Sequence, residues 1–384
     1  MMRIAVLGGG NGAFAAAGDM ALAGHDVRLW RRDVEAVKQH NAAGGTITVE
    51  DFRGRHEAKL SLVTNDIAAA ADEAELILCP VPATAQHDIA RALAPHLKDG
   101  QVVFLPPGTF GTYIFAKAAH DAGNRAGAAF AETGTLPWLT RKHGPFEVAI
   151  TIRAKRLPTG VLPLRLKDHA LGIIGRAFPI AFSSEVGTGS RQENASTHAS
   201  VIEDCGDALS GALMNAGPII HPPLIVMNAA PLEHFPRWDI HKEGTQASVR
   251  RVTDALDAER IAVREALGYG PPHFPLANHY AREGDEWMYG RGSHDKLTDS
   301  GDWREHIVLT QHRYMLEDVR IGLSFLVSIG ELAGVPAPLA RAFLSIGGAV
   351  CGEDFMRTGR TLESLGLGGL DRAALQKMLA EGLQ

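Results

Sequence analysis

Near the N-terminus, three small residues have the types and spacing to bind the phosphates of a dinucleotide. Gly8, Gly10 and Ala13 in Gly8-Gly-Gly-Asn-Gly-Ala13 satisfy G-x-G-x-x-A. The first glycine permits a tight turn out of a strand. The second lets a pyrophosphate approach the backbone, and the small third residue lets helix and strand pack closely. Free N–H groups at the helix start, at the positive end of its dipole, would then hold the phosphates. Gly8, Gly10, Asn11, Gly12 and Ala13 are therefore the expected cofactor loop. Glycine turns that serve only packing share the pattern, so context decides. Here the loop follows the apolar run Ile4–Leu7, opens the Ala-rich helical stretch Phe14–Leu22 and precedes a second strand, His25–Trp30.

The end of that second strand bears on which dinucleotide binds. An acid there accepts hydrogen bonds from a ribose 2′-OH and repels a 2′-phosphate. Val27-Arg-Leu-Trp-Arg-Arg-Asp33 instead places Arg31 and Arg32 near that point. The arginines favour a 2′-phosphate and predict a preference for NADPH. Asp33 as a ribose ligand would allow NADH.

The elements that position these residues follow in order. Val34–Ala42 reads as helix, Gly44–Thr64 as Gly-rich and β-prone, and Glu75–Pro82 as a buried strand ending in a Pro-rich turn. Ala85–Leu97 is helical, Gln101–Leu105 a strand and Tyr113–Ala122 helical again. This alternation predicts a parallel sheet with both faces covered. Ligands on such sheets lie at the carboxyl ends of the strands. Gly8–Ala13, Arg31–Arg32, Pro80-Val81-Pro82 with Ala83–Thr84, and Pro106–Gly111 should line one crevice. Ala128–Glu132, Glu147–Arg153 and Ala181–Ser183 are further strand candidates. Near Gly187 the texture turns helical, with long periods over Ala195–Asn215, Gln246–Leu267, Thr310–Ala333 and Ala337–Ala349. The fold class expected is α/β: a Rossmann-type NAD(P)-binding domain over residues 1–186, then an all-α domain over 187–384. Pro271–Gly301 reads as a long loop or lid, and Asp371 as a first-turn acid of the closing helix.

Composition is that of a globular protein, 45% hydrophobic and 21% charged, with a formal net charge of −6 and no basic block. Nucleic acid is not an expected partner. Three well-separated cysteines (Cys79, Cys205, Cys351) offer neither a disulfide framework nor a cysteine zinc site, and fit a reducing cytoplasm. The apolar stretch Ile321–Val335 is interrupted by Glu331 and is shorter than a bilayer span, so no membrane partner is expected. The expected location is cytoplasmic, and a homodimer is compatible with the composition. The scattered histidines, His234, His241, His273, His279, His294, His306 and His312 among them, show no H-E-x-x-H or comparable spacing, and no metal is expected.

Several segments together resemble the octopine/opine dehydrogenases. They are Gly8–Ala13, Pro80-Val-Pro-Ala-Thr-Ala-Gln-His87, Leu105-Pro-Pro-Gly108 and Glu132-Thr-Gly-Thr-Leu-Pro-Trp138 with Arg141. Further along come Asn215, His221-Pro222, Asn228, Leu256–Arg260, Arg313-Tyr-Met-Leu-Glu-Asp318 and Gly359–Gly366. The likeness runs in order along nearly the whole chain. It implies a dinucleotide-binding domain joined to a helical domain like the C-terminal one of 6-phosphogluconate dehydrogenase. The implied activity is NAD(P)H-dependent reduction of the imine formed between an amino acid and a 2-oxo acid. One departure is Pro106-Pro107-Gly108 followed by Thr109-Phe-Gly-Thr112, where the bulk of Phe110 would alter how the nicotinamide or substrate sits.

The resemblance carries a proton-transfer histidine onto His221 and its carboxylate onto Asp318. A histidine poised near neutrality suits the proton traffic of imine formation, and a carboxylate favours its protonated form. Read alone, His221 could end a helix before Pro222-Pro223, and Asp318 could pair with a surface arginine. Arg313 can grip the oxo-acid carboxylate bidentately. Five residues before Asp318, it would lie about 140° away on an α-helix, so it should stand at or before the helix start. Arg141 is a second carboxylate candidate. Glu132 and Asn228 are candidate contacts to the amino-acid nitrogen, or structural hydrogen bonders.

Two other readings stay open. A C=O reductase resembling glycerol-3-phosphate dehydrogenase or ketopantoate reductase would share the first domain, but those families use a lysine acid in the second half. Only Lys242, Lys296 and Lys377 follow residue 187. A dinucleotide-binding regulatory module would bind cofactor without turnover.

Overall fold

The computed structural model describes residues 1–179 and 200–383. The expected boundary at 186/187 and the strand candidate Ala181–Ser183 lie outside the described residues. The strands of the first half are β1 (Arg3–Leu7), β2 (Asp26–Trp30), β3 (Thr46–Asp51), β4 (Gly54–Lys59), β5 (Leu62–Thr64), β6 (Leu76–Leu78), β7 (Val102–Leu105), β8 (Ala129–Thr133), β9 (Trp138–Gly144), β10 (Glu147–Arg153) and β11 (Leu157–Leu162). They are followed by β12 (Ile202–Asp207), β13 (Trp238–Asp239) and β14 (Arg304–Glu305).

Among the described residues, eight strands form the main sheet in the order β12-β11-β8-β7-β6-β1-β2-β5. β1 pairs in parallel with β2 and β6, and β7 with β6 and β8, while β11 runs antiparallel to β8. The central strands are apolar throughout because helices cover both faces: β1 and β7 bury Ile4–Leu7 and Val102–Leu105 completely. This is the expected mainly parallel sheet. Its edge, however, includes β12, a strand inside the stretch expected as helix over Ala195–Asn215; among the described residues of that stretch, only Ala208–Ala212 is helical.

A second sheet, β4-β3-β10-β9, takes in the β-prone stretch and Glu147–Arg153, which sequence reasoning would have added to the main sheet. It lies over helix α1 (Asn11–Leu22). Covered on both sides, α1 buries Ala13, Ala15, Ala16 and Ala17 completely, which explains its Ala-rich rather than amphipathic character. Gly18 is the contact point: a Cβ there would sit 2.5 Å from a Val49 methyl. Buried Asp19 of α1 accepts from Trp138 Nε1 at 2.8 Å and from Arg153 Nη2 at 2.7 Å, and Arg153 also reaches Asp51 at 2.7 Å. The paired charges fasten the end of β10 to the last turn of α1, and the Trp138 indole ties the start of β9 to the same carboxylate.

Among the described residues of the second half, the strands are β12 and the short β13–β14 ladder, and the other regular elements are helical. Its main elements for the site are the helix Gly217–Met227, the long helix Ala247–Ala266 and a π-helix, Tyr314–Leu323, that runs into the helix Ser324–Ala333. The segment expected as a loop contains two short helices, Ala277–Tyr280 and Ser293–Asp299. Asp371 is the N-cap of the last helix, accepting from Ala374 N, rather than a first-turn residue. Among the described residues no helix is long and apolar enough to cross a membrane.

Candidate active site

A cavity of about 310 Å³ lies between the carboxyl ends of the main-sheet strands and the helical half. On the sheet side it is lined by Gly10, Asn11, Gly12, Pro80, Val81 and Pro82. Gly8 has φ +131°, and a Cβ there would press on Val81 at 3.1 Å, so the turn needs glycine. Gly10 has open space where a Cβ would stand. No side chain caps α1, so its first-turn N–H groups remain available. Ala13 is fully buried against the turn. These features fit a dinucleotide's pyrophosphate.

The two arginines of the second strand differ. Arg31 is half-buried: its guanidinium lies 5.3 Å from the Phe14 ring centre, donates to Ala36 O at 3.2 Å and packs beside Gly9. Arg32 is 78% exposed and lies 3.8 Å from Asp88. Asp33 spends one carboxylate oxygen capping helix α2 (Val34–Ala42), accepting from Glu35 N and Ala36 N. Lys142 of β9 joins the group, its Nζ 3.7 Å from the Phe14 ring centre while its N–H bonds Asn11 Oδ1. Burial, then Arg31, lowers the Lys142 pKa.

On the helical side, His221 Nδ1 and Asp318 Oδ2 are 2.7 Å apart. His221 does not end its helix; Gly217–Met227 continues through Pro222 and Pro223. Two glycines bring this helix against the π-helix. A Cβ at Gly217 would strike Asp318 Oδ1 at 2.4 Å, and one at Gly322 would strike Pro218 at 2.2 Å. The His221 ring stacks on Tyr314 with centroids 3.7 Å apart.

The electrostatics differ from expectation. Burial, reinforced by Arg313, His312 and Arg141, holds the His221 pKa well below its usual value, so the resting imidazole is neutral. Burial pushes the Asp318 carboxyl up to about 7, against the pull of Arg313 and His312. The carboxylate does not outweigh desolvation and the surrounding cations.

Arg313 immediately precedes the π-helix and lines the same cavity. It is 57% exposed, and its nearest carboxylate, Glu317 Oε2, is 3.9 Å away. Arg141 also lines the cavity, but its guanidinium is engaged: it bonds Glu305 at 3.0 Å and lies 3.7 Å above the Trp303 ring.

Two candidate contacts to the amino-acid nitrogen are structural instead. Glu132 is fully buried behind the cavity wall, accepting from Phe110 N at 2.7 Å and from the Thr112 hydroxyl. It braces a turn in which Thr109 and Phe110 both have positive φ and Gly108 leaves no room for a Cβ beside Glu132. Asn228 joins two helices, donating to Leu224 O and Gly244 O at 2.9 and 3.1 Å. Phe110 itself points away from the cleft, stacking on Tyr113 and Phe325.

Several site residues escaped sequence reasoning. Glu317 Oε1 accepts from Ala83 N at 2.8 Å, and Arg360 Nη2 donates to Ala83 O at 3.2 Å. The residue after Pro82 is thus clamped to the π-helix that carries Asp318. Asn215, which lines the cavity, bonds Thr109 Oγ1 at 2.7 Å. The signal was present only as membership of the motifs around Arg313, Gly359 and Asn215. Among the described residues no lysine lines the cavity. Among the described residues no cluster of three or more His, Cys, Asp or Glu has the arrangement of a metal site.

Residues 204–351 match the family model for the α-helical domain of NAD/NADP octopine/nopaline dehydrogenases. Residues 3–112 match that for the N-terminus of NAD-dependent glycerol-3-phosphate dehydrogenase. An opine dehydrogenase of Arthrobacter sp. (strain 1C) is 29% identical over 384 residues, covering 97% of each chain. An octopine dehydrogenase solved with NADH and agmatine has the same fold, with a TM-score of 0.71 at 18% identity, covering 100% of this chain and 99% of that one. An NADP+-bound yersinopine dehydrogenase gives 0.65 at 16% identity, covering 99% and 98%.

Proposed function

We propose that this chain is a member of the octopine/opine dehydrogenase family and that it catalyses the NAD(P)H-dependent reductive condensation of an amino acid with a 2-oxo acid, and the reverse. The observation that carries the reading is the His221–Asp318 hydrogen bond at 2.7 Å, in one cavity with Arg313 and the glycine loop.

The amine adds to the oxo-acid carbonyl, the carbinolamine loses water, and the iminium carbon is reduced to CH–NH. Bound reduced nicotinamide supplies the hydride. Gly8–Ala13 and the open start of α1 would hold its pyrophosphate, with Pro80–Pro82 forming the adjoining wall. Arg313, with no hydrogen bond of its own among the described residues, is oriented to take the oxo-acid carboxylate as a bidentate ligand. Asp318 fixes the His221 ring through Nδ1, leaving Nε2 for the reactants. His221 gives a proton to the departing carbinolamine hydroxyl; in the reverse direction it takes one from the secondary amine. A substrate carboxylate on Arg313 would neutralise one of the cations that hold the imidazole neutral, raising its proton affinity as the oxo acid arrives.

Arg31, Arg32 and Lys142, with Asp33 partly spent as a helix cap, support NADPH as the preferred cofactor over NADH. The absence of a cavity-lining lysine separates this site from the lysine acid expected of a C=O reductase.

The test is NAD(P)H oxidation across a grid of 2-oxo acids and L-amino acids. Oxidation requiring both partners is expected. Oxidation with an oxo acid alone would make the protein a keto-acid reductase, and cofactor binding without turnover would make it a regulatory module.

A further inference from the structure

The cavity wall contributed by the helical half is built largely from rings. His241, His279, Trp287, Tyr289 and Trp303 line it together with Leu297. Trp287 stands 4.7 Å from His279 and 5.5 Å from Tyr289, centroid to centroid, and Trp303 stands 5.2 Å from His241. Tyr289 is fixed through its hydroxyl, which donates to Leu136 O at 2.6 Å and accepts from the Thr135 hydroxyl at 2.9 Å.

The wall carries no charge. Burial holds both histidines neutral, with the His279 pKa lowered to about 3. The carboxylates that line the cavity, Glu317 and Asp318, stand on the π-helix and are committed to Ala83 N and His221.

Aromatic walls can also attract cations through their ring faces. Here two such faces are already covered: Arg141 lies 3.7 Å above Trp303, and His221 stacks 3.7 Å from Tyr314. A guanidinium entering the box would meet Arg141 and no free carboxylate. A side-chain carboxylate would find Arg141 already paired with Glu305. Among the described residues, three buried ring nitrogens, His241 Nδ1, His279 Nε2 and Trp303 Nε1, have no hydrogen-bond partner.

We propose that this box receives the side chain of the amino-acid substrate, and that the enzyme selects neutral aromatic amino acids over cationic and anionic ones. The inference rests on the function proposed above and specifies its second substrate. Trp287 is the specificity-determining residue, because it joins His279 to Tyr289 in the wall.

The test is kcat/KM for L-phenylalanine, L-tyrosine, L-arginine, L-glutamate and L-alanine at saturating NADPH and pyruvate. Phenylalanine and tyrosine should exceed arginine and glutamate by about tenfold or more. Arginine or glutamate equal to the aromatic pair overturns the side-chain assignment and leaves reductive condensation standing. If none of these amino acids, and none in the wider oxo-acid grid, is turned over, both readings fall. Trp287→Ala should lower kcat/KM for phenylalanine about tenfold while alanine changes less than about threefold. An equal loss for both removes Trp287 from selection. If the variant does not fold, the wild-type series decides the proposal alone.

Discussion

Arg313 and Asp318 face the same cavity because the turn between them is wound as a π-helix. On an α-helix, residues five apart diverge by about 140°. With hydrogen bonds running i→i+5 the turn is wider, and residues five apart diverge less. The winding also leaves room for Glu317 to turn back to Ala83 and for Gly322 to seat Pro218. One irregular element and the residue before it therefore bring together Arg313, the carboxyl that bonds His221 and the Glu317 clamp on Ala83.

The first prediction concerns His221. As the proton-transfer group, its loss should cost kcat ~10²–10⁴-fold. His221→Ala should leave NADPH affinity, followed by fluorescence titration, close to wild type, because the histidine lies on the helical side of the cavity. Near-wild-type kcat in the folded variant would remove His221 from the mechanism.

Asp318→Asn tests the pairing. The imidazolium loses its anionic partner, so its pKa falls further below the usual value. Reduction needs the protonated ring, and kcat in that direction declines as pH rises through this pKa. The midpoint of the decline should move to lower pH, with a smaller loss of kcat than in His221→Ala. An unmoved pH profile would make Asp318 a structural residue.

Legibility followed locality. The glycine loop, the alternation of β1 to β8 with helices and the helical second half were readable because each rests on short-range pattern. The β3-β4-β9-β10 sheet was not, because strands far apart in sequence meet only over α1, through Asp19 and Arg153. The π-helix was hidden because its residues are compatible with ordinary α-helical periodicity. Glu132 and Asn228 looked like ligands because burial cannot be read from a carboxyl or amide side chain. Arg141 was visible as a cation, but its engagement by Glu305, from a distant strand, was not.

Arg313→Lys keeps the charge and loses the planar fork. KM for the oxo acid should rise about tenfold or more, while KM for NADPH changes little. Because Arg141 is held by Glu305 and Trp303, Arg141→Lys should affect the oxo-acid KM less. An unchanged oxo-acid KM in Arg313→Lys would reassign carboxylate binding.

The cofactor prediction is a higher kcat/KM for NADPH than for NADH. Arg31→Ala should narrow that ratio chiefly through the KM for NADPH, since Arg31, unlike the exposed Arg32, packs beside the glycine loop. Equal efficiency with both cofactors in the wild type would defeat the arginine argument.

The last prediction concerns stability rather than turnover. Burial raises the Glu132 carboxyl to about 7, even though Thr112, Phe110 and Arg360 favour its ionised form. In the unfolded chain this carboxyl ionises near its ordinary value of ~4.3. Between those two pH values the folded protein holds a proton that the unfolded chain has released. Stability is thus fully present below the unfolded value and is lost as pH rises through the folded one, by at most ~1.4 kcal/mol for each pH unit between them. Glu132→Gln keeps an oxygen for Phe110 N and cannot ionise. Its melting temperature should vary less than that of wild type between pH 4.5 and 7.5. The wild-type-minus-variant difference should become less favourable to the wild type as pH rises. A difference that stays flat, or moves the other way, would show that Glu132 is ionised throughout that range and that its hydrogen bonds outweigh burial.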